Sequence, residues 1–452
     1  MKPSIPKGTR DFIPSEVYKR KYIFSTIEEV FKRYGYQPIE TPAMESLETL
    51  TGKYGEEGDK LLFKVLNNGD FLAKADGAAL ESKDSNALIP SIAKRGLRYD
   101  LTVPFARFVV MNRNDLTFPF KRYQIQPVWR ADRPQKGRYQ EFWQCDADVV
   151  GADSLMYEAE LILMLYEVFN TLGIQIRIKI NNRKILNGIA EVFHMGDRFM
   201  DMTIAIDKMD KIGEEGVVAE LTSRGVGHDE AKKIVDLVTH TSIEALEEVL
   251  GNNEIGMKGI EEMKTIKSYL GNQSVLQVLD IDISLARGLN YYTGSIIEVV
   301  ADKDMYPDLA MGSLSGGGRY DNLTEVFGMG GNSGVGVSFG ADRIYDVMET
   351  LGLYPQDITQ ELDILFVAFD EVSHKHAFGI VSRLRKQGVK ADLYPEPAKM
   401  KKQMKYADAR KVPLVGVVGD REMEENAISV KDMNTGVQEK MTEESLADKI
   451  LS

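Results

Sequence analysis

The strongest constraint on the fold is residues 121–151, KRYQIQPVWRADRPQKGRYQEFWQCDADVVG, which read as two strands joined by a polar loop over 131–140. In the first arm Tyr123, Ile125 and Trp129 share one parity, and Gln124, Gln126 and Arg130 share the other. In the return arm Phe142, Gln144, Asp146 and Asp148 lie opposite Trp143, Cys145, Ala147 and Val149. Side chains alternate across a strand, so each arm has one mainly apolar and one polar face. An ordinary half-buried hairpin turns its polar face to water. Here that face collects a guanidinium, amides, carboxylates and an aromatic ring, and the loop adds Arg133, Lys136 and Arg138. Two readings follow: a decorated surface hairpin, or one strip that binds a zwitterion together with a phosphate.

A chain of 452 residues has room for about three domains. With 43% hydrophobic and 28% charged residues it has the composition of a soluble globular protein. The net charge of −13 argues against nucleic-acid binding driven by overall charge, although basic patches exist at 131–140 and at Lys399, Lys401, Lys402, Lys405, Arg410 and Lys411. A single cysteine, Cys145, excludes an internal disulfide and a multi-cysteine zinc site, and suits a reducing cytosol. Its parity is apolar, which makes it core. The N-terminus has no apolar signal region, and the longest greasy run, 161–165, is too short to cross a bilayer.

Taken in order, 15–34 has helical periodicity with Ser15 as the N-cap, and 36–41 is a short strand closed by Pro42, at an edge or an interface. Residues 51–90 read as a mobile loop region around a short strand at 60–66. A strand then runs to 100–102, and a helix opens at Pro104. After the hairpin come a helix (153–172), an alternating strand (174–181) and a charge-rich helical stretch to about 270, read as an inserted module. Strand patterns return at 275–282 and 295–301, and a glycine-rich region over 312–340 leads into a helix from Asp342. Residues 351–360 look like a linker. The last ninety or so alternate strand and helix, the order of a small α/β domain.

Three more stretches carry chemistry. Arg98, Asp100 and Thr102 share a strand face, as a buried Arg98–Asp100 salt bridge or as part of a site. The run 286–294 (ARGLNYYTG) presents Arg287, Tyr291 and Tyr292 between glycines, and a guanidinium grips carboxylate or phosphate bidentately. As a turn with stacked tyrosines it needs no ligand. Glycines in 315–321 (SGGGRYD) and 334–343 (GVGVSFGADR) permit close backbone approach to a ligand. A dinucleotide-binding reading of the second run lacks the following parallel strand and acidic residue.

Together these stretches resemble the class II aminoacyl-tRNA synthetases. Arg130-Ala131-Asp132 with RPQKGRYQEFWQ looks like motif 2, Gly340–Arg343 like motif 3, and the 15–34 helix with 36–42 like motif 1. RGLNYYTG and SGGGRYD are similar to the two signature peptides of the histidyl-tRNA synthetases, and PKGTRDF (6–12) to that family's start. Departures are mild: Asp132 stands where motif 2 usually has Glu, Asn290 where the signature has Asp, and Asp100 and Asp148 where some members have Glu.

The resemblance implies an α+β fold: an antiparallel-sheet catalytic domain (1–182 and 271–350) with a helical insertion (183–270) and an α/β anticodon-binding domain (361–452). It implies activation of L-histidine by ATP and transfer to tRNA(His), with Mg2+ arriving with ATP and no metal site of the protein's own. The implied partners are ATP, L-histidine, tRNA(His) and a second copy in a homodimer; a membrane is not among them, and the setting is cytoplasmic. On this resemblance Arg130 and Arg287 are catalytic. Asp100, Thr102, Gln144, Asp148, Arg287, Tyr291 and Tyr292 bind histidine, and Arg130, Asp132, Arg138, Phe142 and Arg343 bind ATP. Arg133, Gln135 and Lys136 are candidates for the tRNA acceptor end. Asp146 has the parity of the site and no role. Two rivals are the regulatory subunit of ATP phosphoribosyltransferase, which typically lacks the anticodon domain, and a nicotinamide-dependent oxidoreductase.

Overall fold

A computed structural model describes residues 2–240, 242–286, 291–355, 358 and 362–452, with backbone only at 55–57. The chain forms two compact units, Met1–Tyr354 and Pro355–Ser452.

The strands of the first unit are β1 (Gln37–Pro38), β2 (Met44–Ser46), β3 (Lys64–Val65), β4 (Arg95–Leu97), β5 (Phe120–Trp129), β6 (Glu141–Val150), β7 (Ile176–Asn182), β8 (Leu279–Ile281), β9 (Ser295–Ala301), β10 (Ser315–Tyr320) and β11 (Gly334–Gly340). Eight of them form one sheet in the order β1-β5-β6-β11-β10-β9-β7-β8, antiparallel except where β1 meets β5 and β8 meets β7. The two hairpin arms pair as their alternation predicts, with Arg122 opposite Asp148, Gln124 opposite Asp146 and Gln126 opposite Gln144. Across β6, the polar face continues onto β11 through Gly336, Ser338 and Gly340.

Helices Pro14–Arg33 and Met156–Thr171 supply the apolar cover of the other face. Phe31 meets Tyr123 and Phe339 at centroid distances of 5.6 and 5.8 Å, and Cys145 is fully buried beside them. Because the helices take one side of β5 and β6, the polar parity is confined to the other. Between β7 and β8 the chain is helical, from Arg183–Val192 to Glu254–Leu270.

Several local expectations differ from the structure. Ile13, not Ser15, is the N-cap of the first helix: Pro14 takes the first helical position and Glu16 accepts the Ile13 N–H at 2.8 Å. The 51–90 region holds short helices at Gly55–Lys60, Gly77–Glu81 and Ser85–Ile92, and the expected 60–66 strand shrinks to Lys64–Val65, which joins β2 and β4 from outside the region in a small sheet β2-β4-β3. Asp76 and Asp84 cap two of these helices, local chemistry that apolar periodicity does not register. The strand before the second expected helix ends at Leu97, and Asp100 accepts the Val103 N–H at 3.2 Å, so the helix opens at Thr102. Part of 275–282 is a 3-10 turn, Ser274–Gln277, before β8.

The second unit has β12 (Ile364–Ala368), β13 (Ala391–Leu393), β14 (Leu414–Val418), β15 (Ile428–Asp432) and β16 (Gln438–Met441), in the order β13-β12-β14-β15-β16. The first three are parallel and the last two antiparallel, with helices such as Glu371–Lys386 and Glu443–Leu451 packed on them. Lys399, Lys401, Lys402 and Lys405 are exposed.

Candidate active site

A cavity of about 430 Å³ lies on the polar face of the main sheet. Asp100, Thr102, Arg130, Asp132, Arg138, Phe142, Gln144, Tyr291, Tyr292 and Arg343 all line it. They come from four separate stretches of chain, brought together by strand pairing and by the helices that open at Thr102 and Ala341.

One group of lining residues is cationic. Arg130 donates through Nε to the Tyr99 carbonyl at 3.1 Å, and its guanidinium lies 4.2 and 5.2 Å from the ring centroids of Tyr99 and Phe142. Arg343 is held by the Gly137 carbonyl at 2.9 Å and the Ser313 carbonyl at 2.6 Å. Burial, and repulsion from Arg130 and Arg138, lower the Arg343 pKa from its ordinary value. Arg138 has only the Asp132 carboxylate, 3.6 Å away, as an ion-pair partner among the described residues. Three guanidiniums gathered against their mutual repulsion are a site for a polyanion.

The other group is acidic and amidic. Asp100, 2% exposed, accepts from the hydroxyls of Tyr54 at 3.0 Å and Tyr291 at 3.2 Å, and burial pushes its pKa up. Gln144 donates to the Ser338 hydroxyl at 2.7 Å, while its carbonyl oxygen is buried with no hydrogen-bond partner among the described residues. Such an acceptor costs stability until a donor reaches it. Tyr292 meets Tyr291 edge to face at 5.0 Å.

Asp148 stands back from the cavity wall. Arg122 ion-pairs with it at 2.6 Å, Tyr320 donates to it at 2.5 Å, and burial raises its pKa. Gly336 gives it room, since a Cβ there would lie 2.0 Å from Asp148 Oδ1. Arg98 makes no salt bridge with Asp100; it donates to the Thr41 carbonyl at 2.6 Å, Gln126 at 2.9 Å and the Pro127 carbonyl at 2.8 Å, framing the hairpin from behind. Arg319, in the glycine-rich run 315–321, is likewise structural, paired with the fully buried Glu158 at 2.6 Å. Arg133, Gln135 and Lys136 are exposed on the hairpin loop, off the cavity wall. Arg287 and Asn290 lie outside the described residues.

Sequence reasoning missed Arg122, Tyr54, Ser338 and Glu298. Arg122 shares the parity of Gln124, Gln126 and Arg130, so the alternation already pointed to it. Glu298, on β9, lines the cavity and is 7% exposed. Tyr54 arrives from the 51–90 region and carries no periodic mark.

A family model described as histidyl-tRNA synthetase matches residues 8–76 and 81–344, and an anticodon binding domain model matches 363–452. The chain is 52% identical to a histidine–tRNA ligase of Phocaeicola vulgatus over 98% of both sequences. It is 54% identical to one of Porphyromonas gingivalis, over 97% of this chain and 96% of that one. The crystal structure of a histidyl-tRNA synthetase from Nostoc sp. PCC 7120 superposes with a TM-score of 0.82 at 29% identity, covering 100% of this chain and 99% of that one.

Proposed function

This chain belongs to the histidyl-tRNA synthetase family, and on that premise we propose that the cavity beside β5 and β6 is where histidine and ATP react. The chain is a class II histidine–tRNA ligase. It activates L-histidine with ATP to histidyl-adenylate and pyrophosphate, then passes the histidyl group to the 3'-terminal adenosine of tRNA(His), releasing AMP. Both steps need positioning and charge neutralisation more than a protein nucleophile. The observation that carries the assignment is that one cavity is lined by three guanidiniums and by a buried carboxylate with an unpaired amide carbonyl.

In this reading Arg130 takes the α-phosphate and neutralises charge as the histidine carboxylate attacks it in line. Arg343 takes the γ-phosphate, Arg138 and Asp132 flank the triphosphate, and Phe142 stacks on adenine. Asp100, Thr102 and Gln144 receive the α-ammonium, and Tyr291 holds Asp100 in place. Arg287 reaches the substrate carboxylate and α-phosphate from the opposite side. Asp148 and Tyr292 read the two imidazole nitrogens. A buried acid that accepts a ring N–H favours the side chain that supplies one over those that cannot. Arg133, Gln135 and Lys136 are offered to the tRNA acceptor end, and the exposed lysines of the second unit to tRNA phosphates.

Mg2+ suits this donor set as a companion of ATP. The described residues contain no group of three potential metal ligands, while Asp132 and Glu298 line the cavity as the carboxylates to supplement phosphate oxygens. Bound there, it would neutralise phosphate charge. We further assign a homodimer, supported by the exposed edge strand β1 with Pro38, and a cytoplasmic setting, supported by the single buried Cys145. No described helix is long and apolar enough to cross a membrane.

The deciding experiment is ATP–pyrophosphate exchange across the twenty amino acids with wild type and Asp148→Ala. Histidine alone should support exchange, and Asp148→Ala should abolish it while ATP binding persists. Wild-type exchange by Asp148→Ala overturns the imidazole assignment.

A further inference from the structure

One buried group on the polar face is without a role in these assignments. Asp146, 1% exposed, sits between Gln144 and Asp148 on β6. Across the strand pair lies Arg122, fully buried, with its guanidinium 4.3 Å from the Phe105 ring centroid. Arg122 Nη2 is 2.6 Å from Asp148 Oδ2 and 4.0 Å from Asp146 Oδ2. Its Nε and Nη1, and Asp146 Oδ1, have no hydrogen-bond partner among the described residues. The Ser338 hydroxyl, which accepts from Gln144 at 2.7 Å, stands opposite Asp146 on the neighbouring strand β11. A row of buried polar groups therefore runs from the cavity wall at Gln144 past Ser338 and Asp146 to Arg122 and Asp148.

The charges in this chain do not balance. Two carboxylates share one guanidinium in a place closed to water, where full ionisation of both acids is costly. We propose that Arg122 and Asp146 are a positioning pair for Asp148. Arg122 keeps Asp148 ionised and fixes its orientation; Asp146 draws on the same guanidinium and leaves Asp148 with charge to spend on a substrate ring N–H. The proposal rests on the reading of Asp148 as the imidazole-facing acid, and gives Asp146 and Arg122 a place in histidine specificity without contact to the substrate.

Other titratable groups act on the pair. Asp100, Arg98, Tyr292 and Cys145 interact electrostatically with Asp146, and Asp100, Tyr320, Tyr292 and Tyr36 with Asp148. Among the described residues only Arg122 is a cation within ion-pair distance of either carboxylate.

The test is the pH dependence of the histidine KM in ATP–pyrophosphate exchange, for wild type, Asp146→Asn, Arg122→Met and Asp148→Asn. The substrate's own imidazole titration is common to all and cancels in comparison. Asp146 ionises only near pH 7, so Asp146→Asn should remove the acid limb of the profile at that pH, and removing the Arg122 charge should move that limb to higher pH by about one unit or more. The ATP KM should stay unchanged in Asp146→Asn, a near-isosteric change that decides the matter even if Arg122→Met does not fold. An unmoved acid limb in Asp146→Asn, with Asp148→Asn still raising the histidine KM tens-fold or more, overturns the positioning pair and spares the imidazole assignment. An unchanged histidine KM in Asp148→Asn overturns both.

Discussion

Arg20, on the first helix, donates to Asp342 Oδ1 at 2.5 Å, while Asp342 Oδ2 accepts the Trp143 N–H at 2.7 Å. Arg10 reaches the same Oδ1. A single carboxylate thus ties the N-terminal segment and first helix to the return arm of the hairpin, and it adjoins Arg343 at the cavity wall.

Asp342→Ala should therefore act twice. Removing one partner of a buried ion pair leaves Arg20 uncompensated, at a cost of roughly 3–5 kcal/mol in urea unfolding. Asp342 also lines the cavity beside Arg343, so the ATP KM should rise as well. Unchanged stability would show that Asp342 is not the fastening of these elements.

Gly336→Ala places a Cβ 2.0 Å from Asp148 Oδ1 and 2.9 Å from the Ala147 carbonyl, so Asp148 has to move. Overpacking of this kind costs about 1–3 kcal/mol. The histidine KM in exchange should rise at least tenfold, and ATP affinity, measured by calorimetry, should stay near wild type.

Arg130 and Arg343 should separate kinetically. Arg130→Ala removes a charge needed most when the α-phosphate is attacked, and kcat should fall by about 10²–10³. Arg343→Ala removes a clamp on the ground-state triphosphate, and its loss should appear mainly in the ATP KM. A loss confined to KM in Arg130→Ala would refute its transition-state role.

Burial pushes the Asp146 carboxyl up to about 7, with Arg122 opposing. In the unfolded chain it ionises near its ordinary value of about 3.9. Between these two values the folded protein keeps a proton that the unfolded chain has released, so this group's contribution to stability falls as pH rises through that window. Asp146→Asn abolishes the titration. Relative to wild type the variant should gain at least about 1.4 kcal/mol at pH 8, the equivalent of one pKa unit. The gain should shrink toward pH 5, as followed by urea unfolding.

Strand alternation made much of this site legible. Period-two parity alone places Arg130, Phe142 and Gln144 on one face, and the same rule extends to Arg122. It is blind to the segments that come over the sheet. Leu61 lines the cavity and Tyr54 holds Asp100 from a region whose short helices are held by aspartate caps and carry little apolar period. Arg98 illustrates the opposite error: shared parity with Asp100 suggested a salt bridge, yet the chain turns at Asp100 into a helix and the two side chains serve different partners.

By itself the sequence determined the central hairpin and the alternating order of the last ninety residues, the face on which polar groups collect and the family to which the chain belongs. Those properties are written in local periodicity and in short motifs. Tertiary structure decided which polar groups face the cavity and which stand behind it. Asp148 shares parity with Gln144, but Arg122 and Tyr320 draw it away from the wall, while Gln144 keeps an unpaired oxygen on it. Parity fixes only a direction from the backbone. Burial and the partners supplied by distant strands fix how far each group reaches, and with what charge.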